Sequence, residues 1–361
     1  MSVPYSQTIA QTIAEEASGL ATMKDVATLA GVSVTTVSHV LNDSRVVRPE
    51  VRERVLTAMD ELEYKRNALA RSLRQKHSHT IGLILPDATN PFFAEIARSI
   101  SDESALRGYS MIICNTDGDP KKEDDYFHVL AEKRVDGIVL IEASSPRGDA
   151  SSLGKFGIPA VMMDRYSVLR GVDTIRIDNS GGGRCATEHL LSLGHARIAC
   201  IAGPSEITPS AERVSGYRSA LSESGIPFRE EYVLRGDFHP ESGHETATRL
   251  LRLPDRPTAI FACNDLMAFG AIRAACEMGL SVPNDISVVG FDDIRLAAFF
   301  NPPLTTVAQP HRDMGRIAVA LLAERIREPE LPVRSPLLPT ELVRRSSTAA
   351  ISSGRDRKKR R

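Results

Sequence analysis

The spacing of apolar residues changes character at Thr80, and that change constrains the fold more than any single motif. From Thr80 onward, short β-rich runs alternate with helical stretches, the pattern of parallel α/β units. The runs Ile81 to Leu85, Met111 to Cys114, Gly137 to Ile141, Ala160 to Met163, Ile198 to Ile201, Ala259 to Ala262 and Ile286 to Val289 are expected as strands. Helices are expected over Phe92 to Arg107, Glu123 to Lys133, Cys185 to Leu193, Arg213 to Ser224, Gly243 to Leu253 and Leu266 to Met278. So many units fit two stacked lobes. A chain of 361 residues is also too long for one ordinary core, so two or three domains are expected.

Ahead of Thr80 the spacing is purely helical. Thr22 can cap a first helix with Asp25 near its positive end, and Val26, Ala27, Leu29 and Ala30 supply its apolar face. Gly31 permits a tight turn and Ser33 a second cap, after which Val37, Val40 and Leu41 recur at spacings of three and four. Pro49 suits the first turn of a third helix with a stripe of Val51, Val55, Met59 and Leu62. The second helix, entered by a tight turn, would leave Val34, Thr35, Thr36, Ser38 and His39 outward, small groups able to reach base edges in a major groove. Periodicity alone fits a plain three-helix bundle equally well.

Charge separates the two parts. Residues 22–79 carry 10 Lys and Arg against 7 Asp and Glu, whereas residues 80–354 carry 29 against 36. The formal net charge of −1 conceals a basic front and an acidic body, a division suited to a head that faces nucleic acid. No apolar run is long enough to span a membrane, and residues 1–21 lack the basic start and apolar stretch of an export signal. Cys114, Cys185, Cys200, Cys263 and Cys276 are odd in number and widely spaced, which fits free thiols in a reducing cytosol. No metal-ligand spacing and no Ser-His-Asp or His-Glu-x-x-His pattern is present. Gly181-Gly-Gly183 hints at phosphate binding, but Gly-x-Gly-x-x-Gly after a strand is not satisfied, so a flexible helix entry is expected there.

The run from Thr22 to Asn42, Thr-Met-Lys-Asp-Val-Ala-Thr-Leu-Ala-Gly-Val-Ser-Val-Thr-Thr-Val-Ser-His-Val-Leu-Asn, closely resembles the head of the lactose-repressor family. The likeness continues through Tyr64, Asn67 and Ala68-Leu-Ala-Arg-Ser-Leu73, which is similar to that family's hinge helix. It implies a helix-turn-helix reader of double-stranded DNA in which Leu73 pries open a minor-groove base step, with Asn67 and Ala70 beside it. Lys24, Arg45, Arg71, Arg74 and Lys76 suit phosphate contacts, and Thr22 belongs to the same face. Thr-Val-Ser-His resembles the ribose and purine branches of the family.

In open parallel sheets, ligands bind beyond the carboxyl ends of the strands. Asn90, Phe92 and Phe93 follow the first expected strand, Asp164 and Arg165 the fourth, Asn264 and Asp265 the sixth, and Asp292 the seventh. Carboxylates, amides and a guanidinium grip adjacent hydroxyls while rings cover an apolar face, a chemistry that suits a monosaccharide. Singly, each residue fits a cap or turn; Asp265 is expected to cap the next helix and Asp293 to be a solvated neighbour of Asp292.

The body resembles the family's effector domain and periplasmic sugar-binding proteins over nearly its whole length. That resemblance implies effector contacts from Asn90, Phe92, Phe93, Asp164, Arg165, Arg213, Phe238, Asn264, Asp292 and Gln309. The contact within Asn115-Thr-Asp-Gly118 is left open. Ile207 stands where a purine-reading arginine would be expected, which favours ribose or a related pentose over a purine.

The expected organisation is therefore a mobile extension (1–21), an all-α helix-turn-helix head (22–66) and a hinge helix with linker (67–79). An α/β two-lobed periplasmic-binding-protein-like body with parallel sheets (80–345) and a disordered basic tail (346–361) follow. The expected function is that of a cytoplasmic, homodimeric, sugar-controlled repressor on a palindromic operator. No enzymatic activity, cofactor, metal or membrane partner is expected; the alternatives are a purine- or other-sugar-responsive regulator of the same family and, in a different class, a sugar-binding protein without a DNA role.

Overall fold

The computed structural model describes residues 21–43, 45–64, 77–141, 156–163 and 172–351. The chain divides into two compact units, Met1–Lys76 and His77–Arg361. Asn67, Ala70, Leu73 and Arg74, and with them the expected hinge helix, lie outside the described residues, as do Asp164 and Arg165.

The first unit holds three helices, α1 (Met23–Ala30), α2 (Val34–Asn42) and α3 (Pro49–Glu61). Thr22 and Asp25 form a reciprocal capping box at α1: the Asp25 N–H donates to the Thr22 hydroxyl, and the Thr22 N–H donates to the Asp25 carboxylate at 2.8 Å. Gly31 ends the helix at φ +63°, a left-handed conformation that a side chain would strain. The core is Val26, Ala27, Ala30, Val37, Val40, Leu41, Val55 and Ala58. Leu29, expected inside, is 49% exposed, because the buried face is centred on Val26, Ala27 and Ala30 and Leu29 falls at its edge. Val51, Met59 and Leu62 are only half-buried, while Ala58 takes the inner position with Val55.

The second unit carries two six-stranded sheets of matching order. In the N-lobe, β1 (Thr80–Leu85), β2 (Ser110–Asn115), β3 (Gly137–Ile141), β4 (Ala160–Met163), β5 (Asp173–Ile177) and β11 (Leu337–Leu338) lie in the order β2-β1-β3-β4-β5-β11, all parallel. In the C-lobe, β6 (Ile198–Ala202), β7 (Val233–Arg235), β8 (Ala259–Ala262), β9 (Ser287–Asp292), β10 (Thr305–Ala308) and β12 (Glu341–Val343) lie in the order β7-β6-β8-β9-β10-β12. Only β12 runs antiparallel there, among the described residues.

The helices between them are α4 (Pro91–Leu106), α5 (Pro120–Glu132), α6 (Asn179–Ser192), α7 (Thr208–Glu223), α8 (Pro240–Leu251), α9 (Asp265–Glu277) and α10 (His311–Arg327). The chain passes between lobes after Ile177, after Ala308 and after Leu338, so neither lobe is a continuous segment. Helix α10 follows β10 of the C-lobe yet packs on α4, β3 and β4 of the N-lobe.

Strands β5, β7, β10, β11 and β12 were not expected from the sequence. They are short edge or near-edge strands, and β5 interrupts its apolar residues with Asp173 and Arg176. The expected linker end is anchored to the body: the backbone N–H groups of Ser78 and His79 donate to the Asp136 carboxylate at 2.7 and 2.9 Å. The expected start of the tail at 346 is corrected, because the following residues are fixed on the C-lobe. Ser347 is fully buried, donates to the Val288 carbonyl at 2.6 Å and accepts the Thr305 N–H at 2.8 Å, and the Ile351 N–H reaches the Leu193 carbonyl.

The triple glycine is no flexible entry. A Cβ on Gly183 would lie 2.2 Å from the Arg213 carbonyl oxygen, and one on Gly216 would lie 2.0 Å from that of Ser180. These two positions let α6 and α7 touch backbone to backbone. Among the described residues, no helix is long and apolar enough to cross a membrane.

Candidate functional site

On the first unit, α2 presents a surface of small groups. Ser33 caps it by accepting the Thr36 N–H at 3.1 Å, and the Thr36 hydroxyl lies 2.9 Å from that of Ser33. Val37, Val40 and Leu41 are buried, which turns Val34 and Thr35 outward and leaves Thr36, Ser38 and His39 half-buried. Thr22, Lys24 and Arg45 are exposed. A helix entered through a tight turn, with an outer face of this kind, is the geometry that lays side chains against base edges. Lys24 and Arg45 offer cations for phosphate.

In the second unit, a cavity of about 490 Å³ is lined from both lobes. The matching strand orders place its two halves at equivalent points, beyond the ends of β1 and β6, where the connections of an open sheet diverge. Asn90, Phe92, Phe93, Arg213, Phe238, Asn264 and Asp292 all line it, so the structure brings together most of the residues that the sequence singles out. Gln309 is not in the lining; its side-chain N–H donates to the Asp292 carboxylate at 2.8 Å, so it works through Asp292.

The two asparagines are also helix caps. Asn90 accepts the Phe92 N–H at 3.0 Å at the start of α4, and Asn264 accepts the Met267 N–H at 2.9 Å at the start of α9. Cap and lining roles therefore coincide in one residue, with the carbonyl oxygen bound to the helix end. Asn264 further donates to the Phe238 carbonyl at 2.8 Å, which holds Phe238 at φ +72° with its ring over Gly203.

Asp265, expected as the cap, is instead fully buried behind the cleft. It accepts the Ile294 N–H at 2.9 Å and the Thr306 hydroxyl at 2.5 Å. Burial, reinforced by the nearby Asp292 charge, raises its pKa well above the ordinary carboxylate range. Asp293 is no solvated bystander, for it forms an ion pair with Arg345 at 2.6 Å.

The cation of the site is built in layers. The Arg213 side chain is 4% exposed, donates to Asn179 at 2.9 Å and to the Cys263 carbonyl at 2.5 Å, and stacks 3.8 Å from the centre of the Phe291 ring. Its guanidinium lies 3.5 Å from Asp292. The buried Gln309 Oε1 finds no donor within the described residues.

Sequence reasoning missed several lining residues. Asp87 comes from the loop after β1, and Asp237 and His239 from the loop after β7, a strand too short to have been expected. Asp117 and Gly118 settle the open choice within residues 115–118 as far as the lining is concerned. Asn115 serves the loop itself, accepting the Ala88 N–H at 2.9 Å. Burial alone would raise the Asp237 pKa, but bonds from the Ser242 hydroxyl and the His239 N–H outweigh it and hold the carboxyl below its usual value. Asp87, Asp117, Asp237 and Asp292 in its walls set the cleft against anionic ligands. Among the described residues, no group of His, Cys, Asp and Glu side chains is arranged to hold a metal ion.

Comparison with known proteins agrees with both halves. Residues 22–67 match the family described as bacterial regulatory proteins, lacI family, and residues 187–348 match a periplasmic binding protein-like domain. The chain is 41% identical over 329 residues to the ribose operon repressor of Escherichia coli, covering 91% of this chain and 100% of that protein. It is also 41% identical over 334 residues to the HTH-type transcriptional repressor PurR of Photobacterium profundum, covering 92% and 100%. Among solved structures, a lac repressor dimer bound to operator and an anti-inducer is 32% identical with a TM-score of 0.84, over 92% of this chain and 100% of that one. A LacI family regulator from Enterococcus faecium with bound ribose is 34% identical with a TM-score of 0.69, over 76% and 100%. A helix-turn-helix head and a two-lobed effector body, matched over nine-tenths of the chain, establish that this protein belongs to the LacI family of DNA-binding transcription repressors, which are regulators and not enzymes.

Proposed function

We propose that this repressor is a cytoplasmic homodimer whose affinity for a palindromic operator is set by ribose or a related pentose held between the lobes. The observation that carries this reading is the cleft itself. Amide, guanidinium and carboxylate groups of Asn90, Arg213, Asn264 and Asp292 face one cavity together with the rings of Phe92, Phe93 and Phe238. Paired polar groups with aromatic cover are what a small polyol requires. Asp164 and Arg165 complete the set in this proposal, following directly on β4, whose last residue Met163 lines the cleft. Ribose in the E. faecium neighbour supports the same choice.

The relatives named PurR make a purine the second reading. Ile207 and Pro209 weigh against it, because they put apolar surface into the wall where a purine's polar edge would need a partner. Sugar release of DNA, the usual sense for a catabolic repressor, is the proposed direction of control. Asn67, Ala70, Leu73 and Arg74 are proposed to form the minor-groove contact, with Val34, Thr35, Thr36, Ser38 and His39 in the major groove. A two-fold dimer would match a palindromic site through its two heads.

A thermal-shift screen of pentoses, hexoses and purines tests the ligand, since a specific binder raises the melting temperature with its saturation. A gel-shift titration with and without the hit tests the control. A guanine or hypoxanthine shift exceeding that of D-ribose would replace the pentose reading by the purine one, and a hit that tightens operator binding would make the ligand a corepressor.

A further inference from the structure

Outside the three chain crossings, a polar contact ties the N-lobe to the C-lobe beside the cleft. The backbone N–H of Arg295, in the turn after β9, donates to Glu95 on α4 at 2.9 Å. We propose that Glu95 is the interlobe latch of this protein, a positioning residue that stabilises the closed cleft and so strengthens effector binding without touching the effector. This rests on the reading that a small ligand occupies the cleft.

Both ends of the contact stand three residues beyond a lining side chain. Glu95 is one helical step from Phe92 on α4, and Arg295 is three residues past Asp292. Each end is also rigid in its own lobe. Ile294, the neighbour of Arg295, is held by its N–H to buried Asp265, and α4 is locked to α10 where the Ser99 hydroxyl donates to the Arg312 carbonyl at 2.9 Å. A bond between two rigidly held groups forms over a narrow range of lobe separations, so it reports and favours one degree of closure.

The second Glu95 oxygen is engaged as well. His311, the first residue of α10 after the crossing, places Nδ1 3.2 Å from Oε2, and its ring meets the edge of Phe92 with centroids 5.2 Å apart. Glu95 thus joins a C-lobe amide, the crossing segment and a cleft phenylalanine in one contact set. Its surroundings keep the carboxylate charged, as an acceptor from an amide should be. Burial alone would raise its pKa, but His311 and the Arg295 N–H outweigh burial and hold it below the ordinary value. Opening the lobes would strand the Arg295 N–H and return Glu95 to water.

The test uses the full-length protein with Glu95→Ala, which removes the acceptor, and as control Glu103→Ala on the same helix, whose carboxylate pairs with Arg107 at that helix's own end. D-ribose affinity is measured by calorimetry. Lobe separation is measured without sugar between spin labels on Arg98→Cys and the exposed native Cys276, in a Cys185→Ser background. Glu95→Ala is expected to weaken ribose binding about tenfold, the scale of a hydrogen bond to a charged group, and to lengthen or broaden the interlobe distance. Glu103→Ala is expected to change neither. Unchanged affinity and distance in Glu95→Ala, or equal changes in Glu103→Ala, would overturn the latch. A parent protein that binds no ribose overturns the pentose reading alone, because the sugar-free distance still decides the latch.

Discussion

The Arg213 guanidinium lies 3.5 Å from the Asp292 carboxylate, with both side chains almost wholly withdrawn from water at the floor of the cleft. A buried pair of this kind is held less by mutual attraction than by the cost of leaving either partner alone. Asp292→Ala is therefore expected to destabilise the body by about 3 kcal/mol. The double variant Arg213→Met/Asp292→Ala should lose much less than the sum of the single losses. Urea unfolding of the four proteins in a double-mutant cycle measures the difference, and strict additivity would show that the two charges do not depend on each other.

Asp173 offers a pH-dependent counterpart in the N-lobe. It is fully buried and accepts from Arg325 and Arg334, each at 2.8 Å. Burial would raise its pKa, but the bonds from Arg334 and Arg325 prevail and lower it. A carboxyl with a lowered folded pKa stabilises above its unfolded pKa of about 4 and loses that contribution as the pH falls. The urea midpoints of wild type and Asp173→Asn should therefore stay apart from pH 7 down to about pH 4 and converge only below it, as the pH falls through the lowered folded pKa. A constant difference would remove Asp173 from the acid response.

Gly183→Ala should damage stability and effector binding together. The added methyl would press on the Arg213 carbonyl at 2.2 Å, and the yielding backbone carries the cleft's cation with it. Thermal melting and ribose calorimetry on the same preparation test this, and a destabilised variant with full affinity would separate helix packing from the site.

Leu73→Ala is expected to weaken operator binding far more than nonspecific binding, because a wedge between base steps gains energy only where the duplex can be opened in register. Gel-shift titrations on operator and random DNA compare the two, and equal losses would assign Leu73 to the protein core.

Arg165→Ala should abolish the sugar response and leave operator affinity intact. An unaltered ribose isotherm in this variant would remove Arg165 from the cleft.

Much of this protein was determined by local sequence. The cap at Thr22, the turn at Gly31 and the period of Val37, Val40 and Leu41 set the helix-turn-helix through contacts within a few residues. Strands such as β3, β4 and β8 were equally legible, because strands buried on both faces need unbroken apolar runs. Asn90, Asn264 and Asp292 were legible as strand-end polar residues for the same reason.

Tertiary structure alone decided what depends on distant partners. β10 is a strand because β9 and β12 flank it, and Asp237 and His239 reach the cleft because an edge strand of three residues ends beside it. Gly183 reads as a loose helix entry until α7 lies against it, and Glu95 reads as a surface acid until the other lobe presents the Arg295 amide. Local propensity is written in neighbours along the chain, whereas burial and pairing are set by residues 200 and more positions apart that meet only when the body assembles.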